Sequence, residues 1–181
     1  MKTKRHVVLY VLGLPWDLFL GWPMVLLARL FWGENLSWES TPKGEPGGPV
    51  LTCSFKKGSW PNRTWYAKWG GTTVGHAIVY NHDQRYPGSW SEVQRHEHVH
   101  VEQFEGVCAS SFLVGLGVGV TVAALGHPGA GAIIGVVLWW AGYLIMGIGN
   151  YAAAWLRGED PYRGSSHEES AYAQDGRGPN G

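Results

Sequence analysis

The chain has 181 residues with 14 basic and 14 acidic side chains, a length that fits one domain together with any membrane segments it carries. The balanced charge argues against nucleic acid as a partner, because proteins that track phosphates carry a basic excess. The 11 tryptophans suit a rigid aromatic core or anchoring at a lipid–water boundary, and the two cysteines, Cys53 and Cys108, match no metal spacing and read as two buried thiols in preference to one disulfide.

A short basic run, Lys2 to His6, precedes an apolar stretch from Val7 to Phe31. That stretch exceeds the roughly 20 residues needed to cross a bilayer, although Asp17 and Arg29 are charged and Pro15 and Pro23 interrupt it. No small-residue cleavage site follows, so residues 1–33 are expected to form a retained membrane anchor or re-entrant hairpin rather than a signal peptide. Trp16, Trp22, Trp32 and Trp38 are spaced as interfacial anchors. Residues 34–49 are polar and rich in Pro and Gly, and read as a linker. Strand character follows at 50–56, 63–69 and 72–80, with turn chemistry at Lys57-Gly58 and Gly70-Gly71, which predicts a small antiparallel sheet. Asn35 and Asn62 open glycosylation sequons, a pattern too short to carry meaning without a secretory context.

After a turn-rich loop, Ser91 is placed to cap a helix over about 91–105. This helix carries His96-Glu97-His98-Val99-His100, the pattern HExxH. On a helix, residues four apart share a face, so His96 and His100 can reach one metal ion. Glu97 then stands beside that ion, placed to take a proton from its bound water. His98 points away and belongs to solvent or to packing, and Gln103, one turn beyond His100, reads as either a support for the ligands or plain helix surface. A period-two reading competes: as a strand, His96, His98 and His100 share a face and, with Glu102, match the HxH set of cupin-like metal barrels. The uncharged sequence that follows at once, in place of further strands, disfavours it.

Residues 106–156 contain no Asp, Glu, Lys or Arg. Broken only at Gly126-His127-Pro128-Gly129, they predict a two-helix membrane hairpin with arms over about 107–125 and 130–150. Gly115, Gly117, Gly119, Gly131 and Gly135 supply small residues for close helix packing. Residues 157–181 return to polar sequence and hold a short helix capped by Ser165 or Ser166, then a glycine-rich tail. Catalytic zinc takes three protein ligands, and HExxH supplies two. Glu168, opening Glu168-Glu169-Ser170-Ala171 at a helix start, is the expected third. His167 and Glu169 are its rivals, and the small Ala171 would let the two helices lie close.

The HExxH helix followed by this ExxA helix resembles the gluzincin-type zinc metallopeptidases. The uncharged hairpin between the two motifs is similar to that of the HtpX and CAAX-prenyl-protease kind of membrane peptidase. The resemblance covers residues 72–173 and implies an α+β fold, a minimal zincin-like domain with membrane helices. It implies zinc as cofactor, held by His96, His100 and Glu168, with Glu97 as general base. It also implies a peptide or protein substrate bound beside strand 72–80, and an oxyanion stabiliser for which His76, His82, His127 and Tyr172 are the chemical candidates. Membrane lipid is the other expected partner. A non-catalytic protein that binds metal or a partner through the same domain is the alternative. The basic N-terminus favours a cytoplasmic start.

Overall fold

The computed structural model describes residues 2–39, 49–64, 70–81, 90–160 and 164–174. The chain is mixed α+β and divides into two compact units, Met1–Glu102 and Gln103–Gly181.

In the first unit, helix α1 (Lys2–Trp16) passes through a π-helical turn, Asp17–Gly21, into α2 (Trp22–Phe31) without a break. Pro23 sits in the first turn of α2, where a missing N–H costs little. Four strands follow: β1 (Gly33–Glu39), β2 (Val50–Phe55), β3 (Gly71–Val74) and β4 (Ala77–Tyr80), in the order β1-β2-β4-β3. The sheet is mixed and not antiparallel throughout, because β2 and β4 pair in parallel. Residues 34–39, expected as linker, form the edge strand β1, whose pairing shifts register between Glu34 and Ser37 where Asn35 takes a positive φ of 55°. Residues 72–80 are a hairpin and not one strand. Gly75, at a φ of 63°, reverses the chain in a two-residue turn, which needs glycine at its first position. The expected strand at 63–69 lies mostly outside the described residues, and Arg63 ends a short 3-10 turn, Trp60–Arg63.

Every residue of β2 is buried, because both faces of the sheet are covered. Leu51, Cys53 and Phe55 pack with Ala77 and Val79 against Val25 and Ala28 of α2. Val50, Ile78 and Tyr80 pack on the other face against Val93 and Val101 of helix α3 (Trp90–Ala124). The N-terminal helices are thus part of the domain core as well as apolar enough to span a membrane. Trp16, expected at a lipid boundary, is buried in that core. Asp17, fully buried, accepts the backbone N–H of His76 at 2.7 Å through one oxygen and pairs with its Nδ1 at 2.7 Å through the other. The π-helical turn therefore holds the β3–β4 hairpin.

Helix α3 is unbroken from Trp90 to Ala124, so the motif helix and the first hairpin arm are one element, and Ser91 lies inside its first turn. Gly106 does not end it, since a glycine within a helix costs only about 1 kcal/mol relative to alanine. In the second unit, α3 turns at Gly126 into α4 (Pro128–Leu156). Gly115 and Gly119 face Gly135 and Gly131: a Cβ at Gly119 would lie 2.7 Å from the Gly131 carbonyl oxygen, and one at Gly135 would lie 2.9 Å from that of Gly115. Only glycines allow this approach, the GxxxG packing of membrane helices. Three helical segments, Val7–Phe31, Glu92–Ala124 and Pro128–Leu156, are long and apolar enough to cross a membrane. Helix α5 (Ser166–Gln174) closes the described chain. Cys53 and Cys108 are both buried thiols outside any disulfide.

Candidate metal centre

Residues 90–124 are helical, so the period-two arrangement of three histidines on one strand face does not occur. His98 lies about 200° around the helix from His96. It is buried, so its place is in packing and not in solvent. His96 and His100 lie one turn apart with rings at 86° to each other, and their Nε2 atoms are 3.2 Å apart. Two nitrogens bound to one tetrahedral zinc at the usual bond length stand about 3.3 Å apart. The helix thus presents the pair at ligand spacing.

Glu97 belongs to the stripe Val93, Glu97 and Val101 that faces the sheet, and it is buried. The Thr73 hydroxyl donates to its Oε2 at 2.6 Å and lies 3.2 Å from its backbone oxygen. Gly71 leaves the space the carboxylate occupies, since a Cβ there would lie 2.8 Å from Cδ and Oε1 of Glu97. Strand β3 therefore both makes room for Glu97 and orients it. On the same sheet face Tyr80 donates to Glu39 Oε2 at 3.2 Å, and Thr52 donates to Glu39 Oε1 at 3.1 Å. Burial, and then the carboxylates of Glu39 and Glu97, push the Tyr80 phenol well above its ordinary range, so it stays protonated as a donor.

In the second unit, Glu168 sits in the first turn of α5, with its backbone N–H 3.4 Å from the Oγ of Ser165, the cap residue. Glu168 is buried, whereas Glu169 is exposed. His167, the other rival, is occupied: its Nε2 lies 3.0 Å from Nδ2 of Asn150 on α4. Gln103 is no plain surface residue, because its amide donates to the His167 carbonyl at 2.8 Å and to the Ser170 hydroxyl. Ala171 is fully buried. His96 and His100 in the first unit and Glu168 in the second each carry a donor atom of the kind that ligates a metal ion.

Of the four oxyanion candidates, His76 is held by Asp17 and stacks near Tyr10 with ring centroids 4.4 Å apart. His127 lies beyond the far end of α3, past Ala124, and is exposed. Tyr172 is half-buried on α5, and His82 lies outside the described residues. Nothing in the sequence marks Gly71, Thr73, Tyr80 or Glu39 as part of this site. The Gly70-Gly71 pair signals only a turn. Comparison of the chain with protein families, curated proteins and solved structures gives no match.

Proposed function

We propose that this chain is a membrane-associated, zinc-dependent metallopeptidase with a minimal zincin-like domain. The observation that carries the reading is the 3.2 Å separation of the His96 and His100 Nε2 atoms on one helix face, with the buried Glu97 carboxylate held next to them. Two imidazoles and one carboxylate, His96, His100 and Glu168, form a donor set that suits zinc and leaves a coordination position open. The resemblance of the HExxH and ExxA segments to gluzincin-type peptidases supports the same assignment. Within the second unit, Gln103 binds α5 and steadies the turn that carries Glu168.

Zinc, when bound, would lower the pKa of its water toward neutrality and polarise the scissile carbonyl. Glu97 accepts the proton from the attacking water and returns it to the departing amine. The Thr73 hydroxyl keeps that carboxylate in one orientation, so little reorganisation is needed as the proton moves. Gln103 and Asn150 fix α5 and with it the ligand-bearing turn. Substrate would be a peptide or protein, and the three apolar helical segments support a place in or on a membrane.

The test compares Glu97→Gln with the wild-type chain in cleavage of fluorescein-labelled casein after zinc is restored. Loss of general base catalysis should lower the rate by about 10²–10⁴-fold while zinc content is kept. Equal rates would end the peptidase reading and leave a protein that only binds metal.

A further inference from the structure

The end of α2, the start of β1 and the turn after β2 meet on one surface of the first unit. The Lys56 backbone N–H donates to the Trp32 carbonyl at 2.8 Å, which brings the β2 turn against the end of α2. Three rings gather there: Phe31 and Trp32 have centroids 5.5 Å apart, and Trp32 and Trp60 5.7 Å apart. They are not core residues. Phe31 is 63% and Trp60 64% exposed, and they continue an apolar face on which Leu26, Leu27 and Leu30 of α2 are also exposed.

Cations lie on the same segments as the rings. Arg29, Lys56, Lys57 and Arg63 are all exposed. Two are tied to the same turns: Arg29 donates to the Gly33 carbonyl at 3.1 Å, and Arg63 to the Gly58 carbonyl at 2.9 Å. Residues 22–33 and 49–64 contain no acid, and the nearest in sequence, Glu34, is half-buried. Among the described residues of these segments four cations stand against one carboxylate, a positive excess on a chain whose net charge is zero.

Aromatic rings flanked by basic side chains match the boundary layer of a bilayer, where rings sit at headgroup level and cations meet phosphate. Rings alone would be indifferent to headgroup charge. The added cations discriminate, because a zwitterionic headgroup offers them a phosphate with its own ammonium alongside. We infer that this aromatic–basic surface is a contact site for anionic phospholipid, with Lys56 and Lys57 as its principal charge-selective residues. It does not depend on the metal centre, and failure of either proposal leaves the other standing.

The full chain in nonionic micelles doped with equimolar phosphatidylglycerol and phosphatidylcholine should be released and weighed by native mass spectrometry. Each lysine at an anionic surface contributes about fivefold in affinity. Phosphatidylglycerol adducts should therefore exceed phosphatidylcholine adducts by at least about fivefold, and Lys56→Gln with Lys57→Gln should lower phosphatidylglycerol retention by up to about 30-fold at low salt. Lys56→Arg with Lys57→Arg, which keeps charge and exposure, should retain the preference. Parity of the two lipids on the wild-type chain would overturn the inference. So would a preference that survives the glutamine pair or is lost in the arginine pair.

Discussion

Gly71→Ala places a methyl group where the Glu97 side chain now lies. The new Cβ would meet Cδ and Oε1 of Glu97 at 2.8 Å and Cγ at 2.9 Å. Carbon contacts settle at about 3.5–4.0 Å, so the carboxylate must retreat by roughly 0.7 Å or more. Its 2.6 Å bond from Thr73 is then stretched or lost. A misplacement of about 1 Å in a reacting group costs on the order of 10²-fold in rate. Folding stability should change by no more than about 1 kcal/mol, because the obstacle is the free end of a flexible side chain. The assay is the initial rate on fluorescein-labelled casein, with zinc per chain and the thermal midpoint measured on the same preparations. Glu97→Asp in the Gly71→Ala background draws the carboxylate back by one methylene, so the double variant should lose less than the sum of its parts. A wild-type rate in Gly71→Ala would refute the placing of Glu97 by β3, and so would a simultaneous loss of zinc and rate.

Two further outcomes follow from the first unit. Asp17→Ala leaves the fully buried His76 without its partner at both N–H and Nδ1, so about 3–5 kcal/mol of stability should vanish in a chemical-denaturation series of the detergent-solubilised chain; a loss under 1 kcal/mol would mean that the π-helical turn does not anchor the hairpin. Tyr80 has its phenol raised first by burial, then by Glu39 and Glu97, so its contribution to stability is complete below the unfolded phenol value of about 10 and is lost as pH climbs above that value toward the higher folded one. Alkaline unfolding followed by phenolate absorbance should begin at higher pH in Tyr80→Phe than in wild type, and coincident curves would contradict the assigned cause.

The parts of this chain legible in its sequence are those written in local periodicity. The spacing of His96 and His100 implies a helix face, and 51 uncharged residues broken at Gly126-His127-Pro128-Gly129 imply a hairpin. Pairing between distant segments is not written that way. Val50–Phe55 reads as a strand, yet nothing local tells that it pairs in parallel with Ala77–Tyr80. β1 escapes notice because Gly33, Asn35 and two glutamates depress its strand character, and its bulge breaks the alternation that marks a half-buried strand. The same limit hid the support for Glu97. Gly71 and Thr73 are ordinary residues of a short strand, and their role exists only because the hairpin turn at Gly75 lays that strand beside α3. Asp17 reads locally as a charge interrupting a membrane segment, because its partner His76 lies 59 residues away.

The central claim, a metal centre built on His96, His100 and Glu168, is tested most directly by counting zinc. The purified chain, stripped with chelator and dialysed against trace zinc, should hold about one zinc per chain by plasma mass spectrometry. His96→Ala, His100→Ala and Glu168→Ala should each reduce that to trace, with helix content unchanged by circular dichroism, while His98→Ala and Glu169→Ala should keep it. A wild-type chain that binds no zinc, or a Glu168→Ala chain that still holds one full equivalent as tightly, would contradict the account.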